Sequence, residues 1–371
     1  MRIGYIFNSS LPSSNPGSLQ VIKTCEALMK HNNQVDLITP NTGLNLTIKK
    51  FYNLKKIPTV HKLKFFRKFP IGVNYYLFSI FAALYSIKFK FDIIITRNPF
   101  TLLVLCLLKK KVIIEFHHDF SVESRIVRFL FYKFKILKNK NIIKIVAITE
   151  NVKQFLIKDF KIDKNRIEVI ASATDLEFKF VKLKNKKNLN IGYFGSLEQG
   201  KGADFVCKLS KLDTKNNYFV YGGSVEKVKK IKKNFNNINL TINSYKPYGE
   251  LSKYISDMDI LLMPSSKKII KATGGVGNLS KFTSPLKLFD YLASGKLIIS
   301  SKLNVLNDII KNNVNCIMIE NLKLINWLKE INYIFLNLKK INRLKKSAFD
   351  LSKKYTYYKR AGAILKNIKV D

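Results

Sequence analysis

The sequence predicts an α/β protein built as two doubly wound parallel-sheet domains facing each other across a cleft. Three observations predict it. Short β-rich runs alternate with helical patterns along the whole chain, as in proteins with parallel sheets. Runs such as DIIIT (92–96) and VIIEF (112–116) are continuously apolar, as strands covered on both faces must be. The alternation stops at a polar, lysine-rich stretch, 179–189 (KFVKLKNKKNL), and then restarts, with RIGYIFNS at the first start echoed by NIGYFGS at the second.

In the first half RIGYIF reads as a strand, LQVIKTCEALMKHNN as a helix and QVDLITP as a strand. YYLFSIFAALYSIKF is helical, FDIIITR a strand, FTLLVLCLLKK a helix and KVIIEF a strand. The pattern of SRIVRFLFYKFKI is helical again, and IIKIVAIT and RIEVIAS are two more strands. After the linker come LNIGYF, a helix from about Ala203, the strand NYFVYGG and a helix over VEKVKKIKKNF. INLTINS, a helix at LSKYISD and the strand DILLMPSS follow, then a short helix at 285–294 and the strands KLIIS and CIMIE. Ligands of such sheets bind at the carboxyl ends of the strands, so chemistry is expected in the loops after them.

At 371 residues the chain suits two domains rather than one core, and its apolar fraction of 47% excludes a disordered chain. The formal net charge is +41, with 29 basic and 12 acidic side chains in residues 1–178 and 37 and 13 in residues 179–371. The excess is spread over both halves and is not a basic tail. Two readings stand: affinity for polyanions (nucleic acid, anionic lipid or phosphorylated ligands), or AT-rich coding that leaves many lysines as solvated filler. Cys25, Cys106, Cys207 and Cys316 lie far apart with no CxxC, the pattern of free thiols in a reducing compartment. MRIGYIFNSSLP is too short for a secretory signal, so a cytoplasmic protein is expected. The longest uncharged run, 69–87, approaches bilayer-spanning length. Pro70, Gly72 and Asn74 interrupt its start, which favours a buried domain helix.

Two stretches of the second half carry chemistry. In NIGYFGSLEQGKG (190–202), a strand runs into a turn where Gly195, Gly200 and Gly202 let backbone N–H groups approach an anion, with Lys201 adding a point charge. Neither GxGxxG nor GxxxxGK[ST] is present, so no dinucleotide fingerprint and no P-loop is supported. In FTSPLKLFDYLASGK (282–296), Ser284 suits an N-cap, Pro285 the first helical position and Gly295 the residue after the helix. Leu288, Phe289, Leu292 and Ala293 form an apolar face, with Lys287, Asp290, Tyr291 and Ser294 sharing the other. Asp290 is then either half of an exposed pair with Lys287, worth a few tenths of a kcal/mol, or a ligand-holding acid at the cleft.

In the first half, His117 follows the strand KVIIEF in EFHHD, at the carboxyl end of a central strand. His118 and Asp119 are candidates to cap the next helix, Glu115 reads as structural, and Arg97, ending FDIIITR, is an anion-site candidate at the cleft rim. The stretch 49–68 (KKFYNLKKIPTVHKLKFFRK) has eight basic residues and no acidic one, with Phe51, Tyr52, Phe65 and Phe66 interleaved. That composition suits an anionic membrane surface, where each basic charge is worth about 1 kcal/mol. RNA or a solvated loop are its other readings.

SPLKLFDYLASGKLIIS resembles the donor-site helix of retaining GT-B-fold glycosyltransferases, the large "group 1" class that is family 4-like, in which SPLKLFEYMASGKPIVAS is a common pattern. GYFGSLEQGKG is similar to the glycine–lysine loop of that class, and LPSSNPGSLQVIKTCEAL to its first loop and helix. ITRNPF, IIEFHHD, VAITENVKQFL and ATDLEF fall between these in the class's order, and KYTYYKRAGAIL resembles its closing segment. The resemblance covers most of the chain. It implies an acceptor-binding domain over 1–177, a donor-binding domain over 178–354, and a final helix (355–371) packing back on the first domain.

The resemblance also implies roles. Asp290 stands where an acid accepts hydrogen bonds from the ribose hydroxyls of a nucleotide-sugar, one methylene shorter than the usual glutamate. Phe282 stands where many relatives have a second glutamate facing the sugar, which leaves that role to Thr283, Ser284 or Lys287. Lys201 is expected on the donor diphosphate, among Gly195, Ser196 and Gly200. Ser196 stands where relatives often have an arginine, whose charge Lys287 is placed to replace. His117 matches a cleft histidine facing the reacting sugar. Ser14, Asn15, Gly17, Arg97, Lys62, Phe65, Phe66 and Arg67 fall on the acceptor and membrane side. The implied activity is transfer of a sugar from a UDP- or GDP-linked donor to a hydroxyl of a glycan or lipid-linked acceptor, with retention, in cell-surface polysaccharide or lipopolysaccharide assembly. No metal, no other cofactor and no nucleic-acid partner are expected, and peripheral contact with the inner face of the membrane is. DMD (257–259), the one acidic pair of metal-binding type, precedes a strand and reads as its cap. The alternatives are a GT-B-fold sugar-nucleotide epimerase, which needs more cleft acids than this second half holds, and a non-catalytic polyanion-binding protein.

Overall fold

The structure is a computed structural model and describes residues 1–40, 45–63, 71–120, 124–267 and 279–368. The first half forms β1 (Arg2–Ile6), α1 (Pro16–Lys30), β2 (Gln34–Thr39), α2 (Asn45–Tyr52), β3 (Thr59–Lys62), α3 (Ile71–Ser86), β4 (Ile93–Thr96), α4 (Pro99–Leu107), β5 (Val112–Phe116), α5 (Arg125–Lys133), β6 (Ile142–Ala147), α6 (Glu150–Phe160) and β7 (Ile167–Val169). These strands make one seven-stranded sheet, β3-β2-β1-β4-β5-β6-β7, with parallel pairings throughout. Every residue of β4 and β5 is buried, as suits their largely Ile and Val sequences, and Glu115 of β5 is buried with them. Helices α3 to α6 cover one face of the sheet, while α1 and α2 cover the other.

The second half repeats the plan with β8 (Asn190–Phe194), α7 (Ala203–Leu212), β9 (Asn217–Tyr221), α8 (Val225–Lys232), β10 (Leu240–Asn243), α9 (Leu251–Ser256), β11 (Ile260–Met263), α10 (Leu286–Ser294), β12 (Leu297–Ser301) and β13 (Ile317–Ile319). Its six-stranded parallel sheet runs β10-β9-β8-β11-β12-β13. The chain order reverses between β1 and β4 in one sheet and between β8 and β11 in the other, and such switch points are where open α/β sheets hold ligands. Helices α11 (Leu324–Tyr333) and α12 (Leu338–Ser352) finish this half. Then α13 (Tyr357–Leu365) returns to pack on α1, its Tyr357, Ala361 and Ile364 entering the core of the first sheet.

Three local expectations are corrected. Helix α3 starts at Ile71 and takes Gly72 and Asn74 inside it, and it is not wholly buried: Phe81 and Leu84 face outward. No helix among the described residues is long and apolar enough to cross a membrane. The cap of α5 is Ser124, whose hydroxyl accepts from the Val127 N–H, and not His118 or Asp119. Residues 179–189 form no regular element, yet they are pinned: Asn342 brackets Leu183 through both its N–H and its carbonyl.

Candidate active site

The loop after β8 and the loop after β11 meet at the second switch point. Gly202 has φ +106, and a Cβ there would lie 2.4 Å from the Pro264 carbonyl oxygen, so only glycine lets the two loops touch. Ser266 donates its N–H to the Gly200 carbonyl at 2.9 Å. Tyr193, at the end of β8, donates to the carbonyls of Ser196 (2.7 Å) and Lys201 (3.0 Å) and so sets the curvature of the turn. Beyond it α7 begins with no side-chain cap, leaving its first N–H groups to the loop.

Lys201 and Lys287 converge on this turn. The Lys287 ammonium stands 4.3 Å from the centroid of the Tyr193 ring and 3.5 Å from the Lys201 carbonyl, and a Cβ on Gly195 would come within 3.4 Å of it. Burial, and then the charge of Lys201, lowers the Lys287 pKa to about 7. Burial likewise lowers that of Lys201. Two cations held together in a glycine-lined turn have the electrostatics of an anion site. Lys287 is therefore turned to the loop and makes no pair with Asp290.

The face that sequence assigned to Lys287, Asp290, Tyr291 and Ser294 is interior. Asp290, Tyr291 and Ser294 are buried because α10 is packed on its sheet and against α12. The Tyr291 hydroxyl brackets Phe194, accepting from its N–H at 2.8 Å and donating to its carbonyl. The Asp290 Oδ1 accepts from Thr174 Oγ1 at 2.6 Å and from Tyr248 Oη at 3.4 Å, and no described residue donates to Oδ2. Burial raises the Asp290 pKa to about 7 against the opposing pull of those two donors.

Ser284 is not the cap of α10, which begins at Leu286 after Pro285 with no side-chain cap. Its hydroxyl accepts from the Ser172 N–H (3.2 Å), and its carbonyl accepts from Ser172 Oγ (2.9 Å). The turn before α10 is spent on joining the two halves of the chain. Thr149 and Asn151 donate to the carbonyls of Phe282 and Lys281, and the Phe282 ring packs 5.9 Å from Phe155. Phe282 is thus turned away from the anion site into the first core, while Thr283 is half-buried beside it. Asp259 of DMD accepts from the Asn190 N–H and pairs with Lys186, a structural use, and no described group of three His, Cys, Asp or Glu is placed to hold a metal.

Across the cleft, Arg97 donates to the Gly17 carbonyl (3.2 Å), and Asn15 caps α1 through the Gly17 N–H. Ser14 and Asn15 are both exposed. The His117 Nε2 lies 3.6 Å from Glu115, and it is a buried nitrogen without a hydrogen-bond partner. Burial, and then Arg97, lowers the His117 pKa to about 3, so it is neutral at pH 7. Glu115 bears out its structural reading: Arg360 of α13 pairs with it at 2.8 Å, and the pair is fully buried. Burial opposes its charge, but Arg360, His117 and Arg97 hold its pKa well below the ordinary value. Tyr357, one turn before Arg360, has a second buried and unpartnered polar atom, and its hydroxyl feels both Asp290 and Arg97.

Of the stretch 49–68, Phe51 stacks 5.8 Å from Tyr245 of the other half, and Tyr52 is buried with its hydroxyl on Ser13. Lys62 ends the edge strand β3 and is exposed, and Phe65, Phe66 and Arg67 lie outside the described residues. Sequence reasoning did not single out Thr174, Tyr193, Tyr248, Tyr357 or Arg360. The quoted ATDLEF, GYFGSLEQGKG and KYTYYKRAGAIL contain Thr174, Tyr193, Tyr357 and Arg360 without marking them, and nothing pointed to Tyr248.

The model for Glycosyltransferase Family 4 matches residues 18–178, and that for Glycosyl transferases group 1 matches residues 175–350. No curated protein sequence matches the chain. Among solved structures, a glycosyltransferase from Rickettsia africae is similar with TM-score 0.72 and 16% identity, over 99% of each chain. Anabaena HepE, solved in complex with UDP-glucose, has TM-score 0.70 and 13% identity over 99% of this chain and 98% of its own. WaaG, a glycosyltransferase involved in lipopolysaccharide biosynthesis, has TM-score 0.67 and 11% identity over 98% of each chain. Two parallel-sheet domains of this topology, matched from end to end by such structures and from residue 18 to 350 by the two family models, make the chain a member of the group 1 glycosyltransferases of the GT-B fold.

Proposed function

We propose that the protein transfers a sugar from a nucleoside diphosphate donor to a hydroxyl of a glycan or lipid-linked acceptor, with retention and without a metal, in cell-surface polysaccharide or lipopolysaccharide assembly. The observation that carries this is the convergence of Lys201 and Lys287 on a glycine turn, one helical turn from the buried Asp290. The UDP-glucose complex of HepE and the lipopolysaccharide role of WaaG support the donor and the pathway class.

In this reading the diphosphate lies on Lys201, Lys287 and the amides around Gly195, Ser196 and Gly200. Fixed donors of this kind stabilise the charge that develops as the bond from the anomeric carbon to phosphate oxygen breaks. Asp290 receives the ribose through Oδ2, while Thr174 holds Oδ1. A neutral His117 is a poor base but a ready hydrogen-bond partner for the sugar. The acceptor hydroxyl forms the new bond to the anomeric carbon, and its proton passes to the departing diphosphate. Ser14, Asn15, Gly17 and Arg97 border the acceptor side.

Calorimetric titration with UDP and GDP tests the site. Asp290→Ala and Lys201→Ala are each expected to weaken binding at least tenfold. Unchanged affinity in both removes the site, and a merely polyanion-binding protein shows no such dependence. Transfer to a hydroxyl with an unchanged anomeric configuration, read by NMR and insensitive to EDTA, tests the chemistry.

A further inference from the structure

The second domain gathers cations at a place remote from the glycine turn. Asp259 and Lys296 directly precede β11 and β12, so they lie at the amino ends of these strands, the opposite end of the sheet from Lys201 and Lys287. A cavity of about 340 Å³ opens there, within the size range of small-molecule sites. Lys182, Lys184, Lys186, Lys296 and Lys345 line it, with Asp259 as its one acid. Asp259 is already engaged, by Lys186 at 2.5 Å and by the Asn190 N–H at 2.8 Å. The other four lysines have no carboxylate within ion-pair distance among the described residues. Exposed lysines in a chain of this composition can be solvated filler, but Lys345 is only 2% exposed. The other fully buried lysine among the described residues, Lys23, has Glu26 at 2.9 Å. Lys345 has only the Val181 carbonyl, 3.0 Å from its Nζ. A buried ammonium without a counter-charge costs free energy that one carbonyl does not offset. Burial, and then the charge of Lys296, lowers the Lys345 pKa to about 8, and burial lowers that of Lys296 as well.

We propose that this cavity is a second anion site, which takes a phosphate-bearing small molecule between the buried Lys345 and Lys296 and the exposed Lys182 and Lys184. A lysine ammonium meets phosphate as a compact point charge. Four such charges without carboxylates call for a ligand that carries several negative charges in a small volume, as a diphosphate does and a single carboxylate does not. RNA would use the exposed lysines but has no use for one buried inside a cavity. The placement gives the ligand an effect. Val181 and Leu183 of the crossover between the two halves already hold to α12 through Lys345 and Asn342. An anion on Lys182, Lys184 and Lys345 locks the same crossover more firmly to α12, the helix that leads into α13. The proposal stands without the donor reading, because the cavity shares no residue with the glycine turn.

Pyrophosphate is titrated calorimetrically into the full-length protein and into Lys201→Ala, whose glycine turn is weakened as an anion site. Binding that persists in Lys201→Ala is expected. In that background Lys345→Met should weaken it at least tenfold and Lys182→Gln/Lys184→Gln at least threefold, while Lys229→Gln/Lys230→Gln on α8 should change it less than twofold. The Lys182/Lys184 pair alters exposed side chains only, so the test holds even where Lys345→Met does not fold. As a check independent of the cavity variants, saturating pyrophosphate should slow amide exchange of residues 181–186 at least threefold in Lys201→Ala. No binding in Lys201→Ala, unchanged affinity in the cavity variants, equal loss in the α8 variant, unchanged exchange at 181–186, or tighter binding of a single-stranded RNA through the same lysines overturns the proposal. Pyrophosphate binding that is the same in Lys201→Ala as in the wild type, yet lost in the cavity variants, upholds this site and counts against the donor reading.

Discussion

Thr174 Oγ1 donates a 2.6 Å hydrogen bond to Asp290 Oδ1, joining the crossover between the two halves to the helix at the anion site. Burial raises the pKa of this carboxyl to about 7, and Thr174 is the first of the groups that restrain the rise. Thr174→Val removes that restraint, so Asp290 becomes protonated at higher pH. We expect UDP or GDP affinity at pH 7 to fall several-fold relative to wild type and this difference to close by pH 9, as titration calorimetry of both proteins across pH will show.

Lys287 and Asp290 make stability depend on pH in opposite ways. The folded Asp290 keeps a proton to about pH 7 that the unfolded chain loses near its ordinary 3.8, so its contribution falls as pH rises from about 4 to about 7. The folded Lys287 loses its proton at about 7, while the unfolded chain keeps it to about 10.5, so its contribution rises between those values. The two costs are therefore greatest together near pH 7. Lys287→Met should raise the melting temperature of the free protein by several degrees at pH 7 and abolish the rise towards pH 10. The same variant should bind nucleotide at least tenfold more weakly.

Binding of a diphosphate beside Lys287 favours its charged form. At pH 8, titration in buffers of different ionisation enthalpy should therefore show uptake of up to one proton, and Lys287→Met should show less.

Gly222 has φ +155, and a Cβ there would lie 1.7 Å from the Gly195 carbonyl oxygen. Gly222→Ala must push the glycine turn away from β9. Donor affinity should drop at least tenfold, more than the loss of stability read by urea unfolding.

Arg360 and Glu115 are both fully buried, so breaking the pair leaves an uncompensated charge. Arg360→Met should cost about 3–5 kcal/mol in urea unfolding. The double variant Arg360→Met/Glu115→Gln should regain most of it, because a neutral side chain needs no partner charge.

Much of this was legible in the residues. The strands are short apolar runs, and the glycines at 195, 200 and 202 sit in a turn whose geometry needs them. The spacing of Lys287 and Asp290 on one helix is local too. What misled was also local reasoning: Ser284 has the chemistry of a helix cap, but Ser172 of the other half engages it first. The polar face of α10 looked exposed because nothing near it in sequence covers it. Phe282 left a gap in the expected site that became intelligible only when its ring was found against Phe155.

By itself the sequence determined the two repeated α/β units, their order, the glycine–lysine turn and the acid-bearing helix, since periodicity and turn chemistry act over a few residues. The tertiary structure alone decided the partners. Thr174 reaches Asp290 across 116 residues and Arg360 reaches Glu115 across 245, while Lys287 turns from its own helix neighbour to the ring of Tyr193. It also decided which helix shows its apolar side outward. Such contacts depend on how whole elements pack, and burial then sets the charges that the same residues carry.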